Sequence, residues 1–65
     1  MLGQNIKKFR KKKKLTQDTL ARIANIPYTS ITKIETGVIK KPSVQAVAKI
    51  AKALGISIDA LMEGV

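Results

Sequence analysis

Residues 17–35 read QDTLARIANIPYTSITKIE, and this stretch decides the fold. Apolar side chains recur at helical spacing on both sides of a break at Asn25-Ile26-Pro27, which predicts two short helices. Asn tolerates a left-handed backbone and can end the first helix, whereas Pro has no N–H to lose and suits the opening of the second. We therefore expect a helix, a three-residue turn and a second helix.

The second of these helices, predicted over about Tyr28–Thr36 and ended by Gly37, has two unlike faces. At about 100° per residue, Ile31 and Ile34 lie on one side. The side chains on the opposite side and its leading flank are hydroxylic, aromatic or basic: Tyr28, Thr29, Thr32, Lys33 and Thr36. Such a helix hides one face in a core and offers the other to a polar, anionic partner.

The remaining sequence predicts three more helices, so we expect a compact all-α domain of five helices over residues 1–65. The first runs from about Gly3 to Lys13, with Leu2, Ile6 and Phe9 as a narrow apolar stripe. Caps are predicted at the starts of the second, fourth and fifth helices, namely Thr16, Ser43 and Ser57. The apolar positions predicted for the fourth helix, before Gly55 ends it, are Val44, Val47, Ile50, Ala51 and Leu54.

Composition excludes several classes of function. The 65 residues include neither His nor Cys, so the commonest general base and the commonest zinc ligands are missing, and we expect no enzyme, metal or cofactor. An aromatic content of 3% argues against stacking on single-stranded nucleic acid. The apolar runs are short and the N-terminus lacks a signal-type segment, which predicts no membrane partner and a cytoplasmic location.

The charge balance points to a polyanion. The chain has 13 Lys and Arg against 4 Asp and Glu, a net charge of +9, and seven of the eight residues from Lys7 to Lys14 are basic. The plain explanation of that run is a helix face that is exposed to water. Binding to a membrane surface is a weaker alternative, because the apolar stripe of this helix is narrow. The major groove of B-form DNA accepts one α-helix, so the pattern predicts a DNA-reading helix-turn-helix.

A longer set of residues supports this interpretation. The set comprises Leu15-Thr16-Gln17, Leu20-Ala21, Ala24, Ile26, Ile31, Ile34-Glu35, Gly37 and Lys40-Lys41-Pro42-Ser43, followed by Ile50-Ala51, Leu54-Gly55, Ser57, Asp59 and Leu61. It resembles the helix-turn-helix of phage-repressor and Cro-type regulators, the xenobiotic-response-element-like family, over nearly the whole chain. The chain departs from that family's pattern at Asn25, where Gly is usual, and at Pro27, where Ser or Thr is more common.

The resemblance implies roles for individual residues. The implied base contacts are Gln17, Tyr28, Thr29, Thr32 and Lys33. The implied phosphate contacts are Arg10, Thr16, Ser30, Thr36, Lys40 and Lys41. Arg10 and Glu35 match a pair that ties the first helix to the end of the third. The function implied is a sequence-specific double-stranded DNA-binding regulator, with repression of a promoter as the expected activity.

The resemblance also implies a homodimer on a near-palindromic operator, with half-sites about 34 Å apart. The fifth helix and its flanks carry more apolar surface than a short terminal helix needs. We therefore expect the dimer interface to include Ile56, Ile58, Leu61 and Met62. For Leu61 and Met62, burial in the core is the alternative.

Each assignment has a plainer alternative. Tyr28 would pack on Pro27, Lys33 would touch a phosphate rather than a base, and the Thr and Ser hydroxyls would only cap helices or face water. At the level of function, the alternative is a protein-interaction module or antitoxin-type regulator on the same fold. An interaction face would be apolar or aromatic, whereas this one is hydroxylic and basic. The operator sequence, and whether these residues are a whole protein, are left open.

Overall fold

Residues 2–65, the range that the computed structural model describes, form five helices joined by short loops. They are α1 (Leu2–Lys12), α2 (Gln17–Ala24), α3 (Tyr28–Thr36), α4 (Val44–Leu54) and α5 (Ile58–Leu61). Met1, which the predicted domain includes, lies outside this range. The all-α, five-helix prediction is confirmed, with α1 displaced by one residue from its predicted bounds. Within residues 2–65, none of the helices is long and apolar enough to cross a bilayer.

Side-chain hydroxyls begin three of the helices, as the sequence predicted. The Oγ1 atom of Thr16 accepts the N–H of Thr19 at 3.0 Å. Ser43 accepts the N–H of Ala46 at 3.1 Å, and Ser57 accepts the N–H three residues further on at 3.0 Å. Each cap satisfies one of the backbone donors that a helix N-terminus leaves without an intrahelical partner.

The helix C-termini depend on left-handed backbone conformations. Asn25 ends α2 with φ 57° and ψ 46°, as predicted, and Gly55 ends α4 with φ 71°. Lys14, with φ 58°, does the same after α1, which the sequence analysis missed because lysine is no signal for this conformation. The N–H groups of Lys14 and Leu15 donate to the carbonyls of Lys11 and Arg10, each at 3.0 Å, so the helix end is closed without glycine.

The core lies where α1, α2 and α4 meet α3 and α5. Its largest fully buried side chains come from all five helices: Ile6, Leu20, Ile31, Ile50, Leu54 and Leu61. Leu15, Ile26 and Ile39 pack against this cluster from the loops. The apolar series predicted for α4 is confirmed except at Val44, the first residue of the helix, which is 80% exposed.

The helix α1 crosses the C-terminal end of α3 at Gly3 with almost no space between the backbones. A Cβ atom at this position would lie 2.5 Å from the carbonyl oxygen of Ile34 and 2.7 Å from that of Glu35. Because both atoms belong to backbone, neither can move aside cheaply. Gly3 is therefore required by the close approach of two helices, a role that local pattern did not reveal.

A second link joins α1 to the end of the chain. The side-chain amide of Asn5 donates to the carbonyl oxygens of Leu61, at 2.9 Å, and Glu63, at 2.7 Å. The helix α5 has only four residues, too short to be stable alone, so these bonds satisfy its last carbonyl and that of Glu63 just beyond it, and they hold the end of the chain on α1.

Replacing Gly3 by Ala is expected to destabilise the domain by about 1–3 kcal/mol, since the added methyl overpacks a backbone–backbone contact. Helix propensity alone predicts that the same substitution stabilises the domain, because Ala is a better helix former than Gly. Urea denaturation followed by circular dichroism measures the change. The matched control is Gln4→Ala on the exposed side of α1, expected to alter stability by no more than about 0.5 kcal/mol. A Gly3→Ala variant as stable as the control would contradict the close approach of α1 and α3 at this residue.

Candidate nucleic-acid interface

The turn between α2 and α3 is closed by backbone hydrogen bonds. The N–H of Ile26 donates to the carbonyl of Ala21 at 2.9 Å, and the N–H groups of Ser30 and Ile31 donate to the carbonyl of Pro27 at 3.0 and 3.2 Å. Pro27 starts α3 without a side-chain cap, so this carbonyl and the fixed φ of −56° set the direction of the helix. The third helix begins at Tyr28, as predicted.

The two faces of α3 differ in burial as the sequence predicted. Ile31 is 1% and Ile34 is 3% exposed, whereas Tyr28 on the leading flank is 48% exposed. Thr29, Lys33 and Thr36 are also exposed, and Thr32 is half-buried. The hydroxylic and basic side of the helix is therefore exposed at Thr29, Lys33 and Thr36 and only partly exposed at Thr32.

Two hydroxyls on this face already donate within the helix. Thr32 Oγ1 donates to the carbonyl of Thr29 at 2.8 Å, and Thr36 Oγ1 donates to the carbonyl of Thr32 at 2.8 Å. A hydroxyl has one hydrogen, and phosphate oxygens only accept. A phosphate contact by Thr36 therefore requires another rotamer, whereas in the observed rotamers both oxygens can accept a hydrogen bond from a base.

A buried carboxylate joins the three helices around this face. Glu35 Oε2 accepts from Arg10 Nε at 2.8 Å, while Glu35 Oε1 accepts from Arg10 Nη2 at 3.2 Å and from Gln17 Nε2 at 3.1 Å. The side chain of Glu35 is 3% exposed and that of Arg10 is 11% exposed. The Arg10–Glu35 pair predicted from the resemblance is confirmed. The bond from Gln17, which ties the start of α2 to the end of α3, was not predicted.

Hydrogen bonds within the domain change the interpretation of three predicted contacts, those of Arg10, Gln17 and Thr16. Arg10 also donates through Nη1 to the carbonyl of Leu15 at 2.8 Å, so three of its donors point inward. That placement argues against the predicted phosphate contact, because the guanidinium is nearly enclosed. Gln17 keeps one amide hydrogen and its oxygen for a ligand. Thr16 acts as a helix cap and donates its hydroxyl hydrogen to Thr19 Oγ1 at 2.9 Å, so its oxygen offers no hydrogen to a phosphate in this rotamer.

The loop after α3 folds back on the helix and leaves two lysines in solvent. The N–H of Ile39 donates to the carbonyl of Lys33 at 3.0 Å, and the Ile39 side chain packs on the core. Lys40 and Lys41 follow directly and are exposed. Ser30 lies on this same side of α3, in a groove that α3 forms with the start of α4. Lys40 and Lys41, the phosphate contacts predicted for the loop, therefore lie at one edge of the exposed face of α3.

The residues predicted for a dimer interface do not share one surface. Leu61 is 0% exposed and belongs to the core, so its predicted part in an interface is wrong. Ile56 and Met62 are half-buried and pack on that core, and Ile58 is 43% exposed. The burial of Leu61 follows from the shortness of α5, which must direct its last residue inward to be held at all.

Acidic side chains do little to neutralise the interface. Among residues 2–65 two ion pairs form: the buried Arg10–Glu35 pair and an exposed Arg22–Asp18 pair at 3.1 Å on α2. Neither involves a lysine. The same range groups no set of three or more acidic side chains that could hold a metal ion. The field around α3 is therefore set by lysines.

Known regulatory proteins resemble this chain over most of its length. A family model described as "Helix-turn-helix" matches residues 6–61. The HTH-type transcriptional regulator SinR of Bacillus subtilis (strain 168) is 32% identical over 63 residues, covering 97% of this chain and 57% of that protein. The uncharacterized HTH-type transcriptional regulator YqaE of the same organism is 36% identical over 64 residues, covering 98% of this chain and 54% of that one. The chain thus spans a little over half the length of these relatives.

A solved structure matches this fold closely. It is the crystal structure of SinR, described as the master regulator for biofilm formation, in complex with DNA. It superimposes with a TM-score of 0.93 at 32% identity, over 97% of this chain and 100% of that one. The similarity therefore includes the placement of all five helices.

Replacing Glu35 by Gln is expected to destabilise the domain by about 3–5 kcal/mol, because it leaves the enclosed guanidinium of Arg10 without a counter-charge. The control Asp18→Asn breaks the exposed pair and is expected to cost at most about 0.5 kcal/mol. Equilibrium denaturation of both variants measures the difference. A double Arg10→Met, Glu35→Met variant should regain much of the loss, since it removes both charges. Equal and small losses of stability in the Glu35→Gln and Asp18→Asn variants would refute the structural role of the hydrogen bonds to Glu35.

Proposed function

Because this chain belongs to the Helix-turn-helix family, we propose that it is a sequence-specific double-stranded DNA-binding regulator that reads the major groove with α3. One observation carries the proposal: α3 buries Ile31 and Ile34 and leaves its hydroxylic and basic side open to solvent in a chain of net charge +9. The match to a SinR structure described as a complex with DNA supports it. Residues 1–65 act in this proposal as one DNA-binding domain.

The proposed base contacts lie on α3 and at the start of α2. Lys33 donates to the O6 and N7 acceptors of guanine, and the methyl groups of Thr29 and Thr32 meet the methyl of thymine. Tyr28 reaches the groove from the leading flank. The remaining amide hydrogen and oxygen of Gln17 contact a base or brace the first reading side chain, with Glu35 holding the amide in place.

The proposed phosphate contacts lie in the loop after α3 and at hydroxyls of α2 and α3. On the loop side, Lys40 and Lys41 are the strongest candidates, because they are exposed and follow the half-buried Ile39, which packs on the core. Ser30, Thr16 and Thr36 remain weaker candidates whose hydroxyls must reorient to donate. Phosphate contacts position a protein on the duplex without specifying sequence, whereas the base contacts supply the specificity.

We propose repression by occupation of an operator, with a homodimer bound to two half-sites. A single domain of this size covers only a few base pairs, and a two-fold pair on half-sites about 34 Å apart extends the sequence that is read. Within α5 and its flanks, the apolar side chains most open to a second copy are Ile58 and Val65, 43% and 64% exposed, whereas Ile56 and Met62 are half-buried.

Selection of binding sites from random duplexes at stated salt concentration tests the proposal and yields the half-site. Lys33→Ala is expected to relax the preference at one base pair, with a loss of about 1–3 kcal/mol of discrimination. Lys40→Ala is expected to weaken binding to all sequences alike and to reduce the slope of log K against log salt by about 1. The control Lys52→Ala, on the exposed side of α4, should change neither quantity.

Two results would contradict these assignments. No enrichment of any duplex by the unaltered chain would exclude sequence-specific DNA binding. Unchanged discrimination by Lys33→Ala would exclude Lys33 as a base contact while leaving the function in place.

Replacing Ile58 by Lys is expected to weaken self-association on DNA, since it puts a charge into the proposed apolar interface. Sedimentation of the chain with a duplex that carries two half-sites measures the stoichiometry. Val38→Lys is the control, because Val38 is apolar, 71% exposed and lies in the loop after α3. Two bound copies of Ile58→Lys, with the same cooperativity as the unaltered chain, would exclude this interface.

A further inference from the structure

The structure divides the basic run of α1 into two groups that face different neighbours. Seven of the eight residues from Lys7 to Lys14 are basic, and the lysines among them are exposed. The sequence alone gives no reason to distinguish one lysine from another. Helix geometry and the contacts of α1 do distinguish them.

One side of α1 lies against the C-terminal end of α3. Gly3 meets the carbonyl groups there, and Arg10 reaches the carboxylate of Glu35. Lys7 lies between them on the same side, four residues after Gly3 and three before Arg10, and Lys11 follows Lys7 by four. Helix spacing therefore puts Lys7, and one turn later Lys11, nearer to the α3 side of α1 than to its opposite side, and both are exposed.

The other side of α1 lies against the end of the chain. Asn5 donates to two carbonyls there, and Lys8 and Lys12 follow Asn5 by three and seven residues. The ammonium groups of Lys8 and Lys12 lie 6.0 and 5.6 Å from the centroid of the Phe9 ring. This distance is in the range of an attractive cation–π contact, so these two lysines have a partner within the domain.

Lys7 and Lys11 have no such partner in the part of the chain that the structure describes: neither takes part in its ion pairs or its cation–π contacts. At a spacing of four residues their like charges repel, which slightly destabilises α1. A polyanion beside the end of α3 would relieve that repulsion.

We propose that Lys7 and Lys11 bind DNA phosphates beside the C-terminal end of α3, so that α1 forms a second border of the interface. The proposal rests on the DNA-binding function proposed above and adds residues to it. Lysine suits this role, because its ammonium is a mobile point charge and phosphate contacts need no fixed geometry. Lys8 and Lys12, on the far side of the helix, do not contribute.

The test compares two double variants that remove equal charge from the same helix: Lys7→Gln with Lys11→Gln, and Lys8→Gln with Lys12→Gln. Glutamine keeps much of the side-chain stem and a similar helix propensity, and thermal unfolding followed by circular dichroism verifies the fold of each variant. The probe is a 30-base-pair duplex of random sequence. Fluorescence anisotropy at a series of KCl concentrations gives the binding constant K, and from it the slope of log K against log salt.

For two phosphate contacts, Lys7→Gln with Lys11→Gln should reduce that slope by about 1.8, and Lys8→Gln with Lys12→Gln should leave it nearly unchanged. Equal reductions in both double variants would overturn the proposal and indicate a general effect of net charge. An unchanged slope in the first variant, accompanied by a lower melting temperature, would also overturn it and indicate that Lys7 only stabilises the end of α3. Absence of any salt-dependent binding by the unaltered chain would refute the proposed function itself.

Discussion

The carboxylate of Glu35, enclosed by Arg10 and Gln17, is the interaction on which the rest of the structure depends. A charge that is 3% exposed is tolerated only when hydrogen bonds and a counter-charge compensate for its lost hydration. Its three donors come from α1 and α2, while the carboxylate belongs to α3. The angle between the two helices of the motif is therefore set by directional polar bonds as well as by packing. Apolar side chains alone would tolerate more rotation.

This arrangement also determines which parts of α3 remain available to a ligand. The last turn of the helix has its acidic residue turned inward, so no negative charge lies on the exposed face. The close crossing at Gly3 brings α1 directly against the same end of the helix. The loop that carries the exposed Lys40 and Lys41 follows the same end of α3, so an anionic duplex that reaches this end would meet positive charge there.

Much of the fold and of the candidate site was predictable because its causes are local. Hydroxyl caps, the left-handed Asn25, glycine terminators and helical periodicity each involve residues within a few positions of one another, and they agreed on where the helices begin and end. The exposed face of α3 was equally predictable, because the period of the helix places its hydroxyls opposite Ile31 and Ile34. Where prediction failed, at Leu61 and Val44, periodicity identified an apolar side chain but not whether a neighbour would cover it.

The amino-acid sequence by itself determined the number and bounds of the helices, the polarity of α3 and the excess of positive charge, since these follow from short-range physics and composition. Only the tertiary structure decided that Gln17 joins the Arg10–Glu35 pair, why residue 3 must lack a side chain, and that Leu61 is enclosed in the core. Those properties depend on distances between segments far apart in the chain. Helix propensity and periodicity act over a few residues and carry no information about such distances.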